Sequence, residues 1–120
     1  MATPDSDVTP GPGSVVRVPF PYTDAETRQH RPALVVANLG PDGGGPAAFL
    51  WVVMITSAEN RGWPGDVTIA DSAAAGLPIP SIIRTAKIAT IETPRAETRG
   101  RVEAASLAEV RAELRRRLGA

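Results

Sequence analysis

The stretch Gly40–Pro46 reads Gly-Pro-Asp-Gly-Gly-Gly-Pro and can only be a loop. It separates two apolar runs, Arg31–Asn38 (RPALVVAN) and Ala47–Thr56 (AAFLWVVMIT). The first is apolar on both faces after its opening two residues, the pattern of a central strand with a charged arginine at its mouth. The second is the longest apolar run in the chain, and its β-branched and aromatic residues disfavour helix. Joined by that loop, the two pair as a hairpin.

Shorter strands flank the hairpin. In Ser14–Phe20 (SVVRVPF), Val16, Val18 and Phe20 alternate with Val15 and Arg17, and Pro19 and Pro21 suggest an edge or a strand end. Tyr22–His30 is polar and aperiodic, a long flexible loop of the kind that carries function. Asp66–Ala70 (DVTIA) alternates as a short strand. The Ala/Gly/Pro-rich segment Ser72–Pro80 is a loop with room for a helical turn, and Ser81–Thr85 and Lys87–Ile91 read as two more short strands. Several short strands with turn-rich spacing and little helix indicate a small closed or half-open barrel.

The tail changes character. Ser106 and Glu109 match a capping box, and Leu107, Val110, Leu114 and Leu118 recur at helical spacing. A helix of about three turns is expected there, stopped by Gly119.

With 120 residues the chain has the length of one domain, so an active site must be shallow or shared between subunits. Residues 1–12 are polar and rich in Pro and Gly and read as a frayed leader before a single domain over 13–120. They hold no apolar signal region, and no run approaches transmembrane length, so a cytoplasmic protein without membrane contact is expected. Thirteen Lys+Arg balance thirteen Asp+Glu, so net charge says nothing about partners. Arg95, Arg99, Arg101, Arg111, Arg115, Arg116 and Arg117 nevertheless crowd the last quarter and could form a local basic surface. Without cysteine, and with one histidine, thiolate chemistry is excluded and a protein-built zinc site is improbable, so no cofactor is expected.

Few side chains remain as chemical candidates. Arg31 could bond a phosphate bidentately or stabilise charge on a phosphorane, although spacing alone favours a strand-end arginine paired with a carboxylate. Thr56 and Ser57 end the long strand at a barrel rim, where a hydroxyl can meet a phosphate oxygen or where a strand simply ends. Arg84, flanked by isoleucines, requires either a carboxylate or a ligand. His30 has the pKa for acid–base work but in a strand would point away from Arg31. Among the aromatics, Phe20 and Tyr22 are stacking candidates, Trp51 reads as core and Trp63 as surface or interface.

The segments Gly13–Asp24 (GSVVRVPFPYTD), Arg31–Asn38, Val52–Ala58 (VVMITSA), Gly76–Ile91 (GLPIPSIIRTAKIATI) and Gly100–Gly119 run in the order found in the MazF/PemK toxins of bacterial toxin–antitoxin pairs. The chain resembles that family over nearly its whole length after Pro12. The resemblance implies an SH3-like barrel with a C-terminal helix, a homodimer, and a metal-independent endoribonuclease acting on single-stranded RNA. It implies Arg31 and Thr56 as the catalytic pair, Arg84 as a substrate-binding or auxiliary catalytic group and Tyr22–His30 as the loop beside the RNA groove; with the stacking and rim candidates read above, Phe20, Tyr22, Arg28, Ser57 and Arg84 are the expected substrate contacts. The implied partner is a cognate antitoxin, a short acidic chain that folds over the groove. Two departures stand out: relatives often carry Asp where this chain has Ala86, and an acidic residue where it has Ser14. The first leaves the general base open, and with it two other readings of the fold, a toxin that poisons DNA gyrase by binding and a catalytically degenerate RNA-binding member.

Overall fold

A computed structural model describes residues 10–19, 30–40 and 48–119. Six strands form one antiparallel sheet: β1 (Ser14–Pro19), β2 (His30–Leu39), β3 (Phe49–Ser57), β4 (Asp66–Thr68), β5 (Ser81–Glu92) and β6 (Glu97–Arg101). Their order across the sheet is β4-β5-β3-β2-β1-β6, and one helix, α1 (Ala104–Leu118), follows. The fold is mainly β with a C-terminal helix, as the strand pattern indicates. β2 and β3 are the hairpin, paired from Ala33 opposite Met54 to Leu39 opposite Phe49 with a one-residue register shift between Val35 and Ala37.

Alternation along these strands makes two buried layers. Val15, Leu34 and Val53 lie side by side and, with Ile55, Ile83 and Val67, form one layer. α1 closes over that layer through Val110, with Leu107 and Leu114 packed beside it. On the opposite face Val16, Val18, Ala33, Val35, Val52, Met54, Ala89 and Ile91 form the second layer. Both faces of the central strands are buried, which is why their sequences are nearly continuous apolar runs.

β4 and β6 are opposite edges of the sheet, yet they are brought together. After β4 a turn over Ser72–Gly76 is pinned by the Asp71 carboxylate accepting from the Ala74 N–H at 3.1 Å. Its Gly76 has φ +85°, and a Cβ there would lie 2.3 Å from the Arg99 carbonyl oxygen. A Cβ on Gly100 would lie 2.2 Å from the Ala75 carbonyl oxygen. Two backbones therefore touch where neither can carry a side chain, and the sheet curls until its edges approach.

Several expectations change. The segments Ser81–Thr85 and Lys87–Ile91 are one strand: pairing with β3 jumps from Ile88 opposite Val53 to Arg84 opposite Met54, leaving Thr85–Lys87 as an irregularity that bends β5. β1 lies inside the sheet, so its Pro19 marks a strand end and not an edge. The edge is β6 (ETRGR), whose polar, exposed residues carry no alternation. α1 starts earlier than the capping box indicates: Ser106 is buried within the first turn, and Glu103 precedes the helix without a side-chain cap. Ala104 and Ala105 favour helix more than a serine cap favours its end. Gly119 does stop the helix in the left-handed conformation, φ +77°, with its N–H on the Arg115 and Arg116 carbonyls. Trp51 is 47% exposed instead of core, because its neighbours Leu50 and Val52 take the buried side of β3.

One buried charge pair anchors β4. Asp66 stands opposite Arg84 in the β4–β5 ladder, and the side chains are only 10% and 7% exposed. Arg84 Nε donates to Asp66 Oδ1 at 3.2 Å and Arg84 Nη2 to Oδ2 at 3.0 Å, a bidentate fork. The Gly62 and Trp63 N–H groups donate to the same Oδ2, each at 3.1 Å. Burial would raise the Asp66 carboxyl, but the Arg84 hydrogen bonds and the two amides outweigh it and hold it below its ordinary value.

Two outcomes follow. Gly100→Ala should lower unfolding stability by about 2–3 kcal/mol through overpacking, whereas Gly11→Ala, with open space around its Cβ, should change it by less than about 0.5 kcal/mol; urea denaturation distinguishes them. A depressed carboxyl contributes stability above its unfolded pKa, about 3.9, and loses that contribution as pH falls through the lower folded value. Asp66→Asn should therefore cost about 2–3 kcal/mol at pH 7. The gap between variant and wild-type urea midpoints should close as the pH is taken below about 4.

Candidate functional site

Antiparallel pairing places the first residues of β2 and the last of β3 at one end of the sheet. Continuing the β2–β3 register two residues beyond Ala33 and Met54 brings Arg31 opposite Thr56. Both line a cleft of about 480 Å³ at that end. Ser57, Ile55 and Pro32 line it from the same two strands, Arg17 and Val15 from β1, and Arg99 from β6. The segment Gly76–Ile79 and Ser81 close the far wall.

Arginines dominate this wall, one of them, Arg99, ion-paired with Glu97 at 3.2 Å. Among the described residues the cleft is lined by three arginines, Arg17, Arg31 and Arg99, and by no carboxylate. Hydroxyls of Thr56 and Ser57 and the amide of Asn60 lie among them. Guanidinium groups beside hydroxyl and amide donors suit a phosphate: the first supply charge and paired donors, the others single directed hydrogen bonds.

The rim between β3 and β4 is built locally. Ser57 accepts from the Glu59 N–H at 3.2 Å and so caps a short 3-10 turn, Ala58–Asn60. The Arg61 N–H and its Nη1 both donate to the Ala58 carbonyl, at 3.2 and 3.1 Å, and finish the turn. The reversal returns Asn60 to Thr56, four residues back, where Asn60 Nδ2 donates to Thr56 Oγ1 at 3.0 Å. Beyond it the chain runs to Trp63, whose ring lies under the Arg84 guanidinium at 4.3 Å and near Lys87 Nζ at 5.1 Å.

The sequence candidates fall into three groups. Arg31, Thr56 and Ser57 are brought together on the cleft. Arg84 is apart from its lining: it is buried, holds Asp66, and donates from Nη2 to the Asn60 carbonyl, so the alternative of a carboxylate partner is the one realised. Phe20, Tyr22 and Arg28 lie outside the described residues. His30, opposite Pro19 at the start of β2, is exposed and apart from the cleft lining. Trp63 is on the surface, as its loop sequence indicates.

Sequence reasoning missed three residues. Arg17 shows as the one charge in an alternating apolar strand, a signal open to reading. Asn60 shows only as a polar residue four places after Thr56. Arg99 showed only as one of the arginines crowding the last quarter, and its place in the cleft depends on β6 reaching β1, with Glu97 opposite Arg17. Near the end of the chain, Arg116 and Arg117 bond Glu113, so part of the arginine cluster is paired on its own helix.

Comparison with known proteins places the fold. Residues 11–118 match the family described as PemK-like, MazF-like toxin of type II toxin–antitoxin system. No curated protein matches the chain. Among solved structures, MazF from Deinococcus radiodurans is 27% identical with a TM-score of 0.70, covering 95% of this chain and all of the other. The MazE–MazF complex of that organism gives 26% identity and a TM-score of 0.68, covering 94% and 98%. An endoribonuclease in complex with its cognate antitoxin, from mycobacterial species, shares the fold at 22% identity and a TM-score of 0.68, covering 92% and 95%. A match spanning nearly every residue, on a six-stranded sheet with a C-terminal helix, makes this chain a member of the PemK-like, MazF-like toxin family of type II toxin–antitoxin systems.

Proposed function

We propose that this toxin is an endoribonuclease that cuts single-stranded RNA without a metal, leaving a 2′,3′-cyclic phosphate and a free 5′-hydroxyl. The observation that carries this reading is the cleft in which Arg31 and Thr56 share a wall with Arg17 and Arg99 and with no carboxylate among the described residues. Such a wall favours the phosphodiester backbone. A neutral chain thereby gains a locally cationic site.

In the proposed reaction the ribose 2′-oxygen attacks the adjacent phosphorus in line. The 2′-O–P bond forms as the P–O5′ bond breaks, the 2′-hydroxyl proton passes to solvent water, and the departing 5′-oxygen gains a proton from Arg31, which solvent restores. Negative charge grows on the non-bridging oxygens, where Arg31 stabilises it and stands as proton donor to the leaving oxygen. Thr56 holds the phosphate in line, and Ser57 adds a hydroxyl from the same strand end. Fixed donors of this kind replace the charge a metal would bring. Arg84 acts on substrate through the loop it holds, and Phe20, Tyr22 and Arg28 are assigned to base and backbone contacts along the groove.

A homodimer and a cognate antitoxin complete the proposal. Two-fold pairing would lengthen a groove that one small barrel leaves short. MazE–MazF complexes among the structural relatives support an antitoxin partner. An acidic antitoxin segment complements the arginine-lined cleft by charge.

The purified protein should cleave a single-stranded RNA in EDTA. Arg31→Ala and Thr56→Ala should each lower kcat by about 100-fold or more. End analysis should find 5′-hydroxyl products. Cleavage that requires a divalent metal, or an Arg31→Ala/Thr56→Ala double variant as active as the wild type, would reject the reading. Inhibition of DNA gyrase with RNA left intact would point to the binding toxin of the same fold.

A further inference from the structure

A hydroxyl in an active site is useful only if its proton points the right way. Thr56 Oγ1 can accept from one neighbour while donating its own proton to another. Asn60 Nδ2 lies 3.0 Å from Thr56 Oγ1 as a donor. An amide NH2 cannot accept, so this contact occupies a lone pair of the hydroxyl and leaves its O–H to donate elsewhere. Both residues line the cleft, so that a ligand held there is within the surroundings open to the Thr56 O–H.

The amide stays in place because its backbone is held at both ends of the turn. Ser57 caps the start of the turn through the Glu59 N–H. At the other end Arg84 Nη2 donates to the Asn60 carbonyl, and Arg84 is fixed by its fork on Asp66 and by the Trp63 ring. An ion pair buried between β4 and β5 thus fixes the direction of one hydroxyl at the end of β3.

We propose that Asn60 is a positioning residue for the cleavage reaction, one that sets the Thr56 hydroxyl as a hydrogen-bond donor to a non-bridging oxygen of the scissile phosphate. This rests on the ribonuclease reading above and assigns to that site a residue acting through Thr56. In this role the Nδ2 of Asn60 is spent on Thr56 and acts on the phosphate through it. Its effect is orientation, and the side chain can be changed without touching the carbonyl that Arg84 binds.

Steady-state cleavage of a single-stranded RNA in EDTA by four variants tests this. Asn60→Ala should keep the wild-type urea midpoint and KM within about twofold while kcat falls by about tenfold or more. Combined with Thr56→Ala it should add no further loss, since both remove one unit. Asn60→Asp provides a pH signature. Its carboxylate can only accept, which draws the Thr56 proton away from the cleft, so near pH 7 it should be slower than Asn60→Ala. Relative to wild type at each pH it should recover as the carboxyl protonates below about pH 5 and can donate again. An Asn60→Ala kcat equal to wild type, an additive loss in the double variant, or an Asn60→Asp variant with no recovery in acid would each overturn the proposal while leaving the ribonuclease reading intact. Failure of the wild type to cleave would overturn both.

Discussion

The Asp66–Arg84 pair is the contact on which the working end of this molecule depends. β4 has only three residues and joins the sheet through one neighbour, β5. A charge buried at that junction would be costly alone. Here it receives a bidentate guanidinium and two backbone amides, which satisfy the acceptor sites that desolvation exposes. The same guanidinium then reaches the Asn60 carbonyl, so one side chain joins strand pairing to the loop that borders the cleft. The β4–β5 edge and the loop beside the cleft are thereby tied through one side chain.

That interaction also changes the meaning of Ala86. Relatives often carry a carboxylate there, two residues beyond the arginine on the same strand. In this chain the partner of Arg84 comes from the adjacent strand, and Ala86 lies exposed within the bent stretch of β5 between Thr85 and Lys87. It is also outside the lining of the cleft. A proton acceptor for the proposed reaction is therefore better sought around the cleft than at the β5 bend.

Most of the fold was legible because burial writes itself into alternation. β1, β2 and β3 carry apolar residues on both faces, and the glycine-rich sequence between β2 and β3 marks them as neighbours in a hairpin. What escaped was set by the sheet as a whole. β6 has no apolar side to display, since it is an edge held to β1 by backbone pairing. The bend in β5 looks like a strand boundary because a bulge and a turn both interrupt alternation. Ser106 looks like a helix cap because the capping pattern is local, whereas its burial depends on what α1 packs against. Trp51 looks like core because an apolar run gives no sign of which face a curled sheet leaves uncovered.

For the site, sequence and structure divide the work differently. Composition put the positive charge in the last quarter of the chain, yet Arg116 and Arg117 are engaged by Glu113, and Arg95 by Glu92. The cleft draws its arginines one each from β1, β2 and β6, residues 17, 31 and 99, which only the closure of the sheet assembles. Arg31 on spacing alone was the arginine of a strand end, and the family resemblance, not its local sequence, singled it out. Its placement adds a physical reason. At the end of the sheet just beyond the Ala33–Met54 pair, Arg31 shares one cleft with Thr56, Arg17 and Arg99. Arg99 is itself held by Glu97, its Nη2 3.2 Å from Oε1, so a phosphate entering the proposed site would share that guanidinium with a carboxylate.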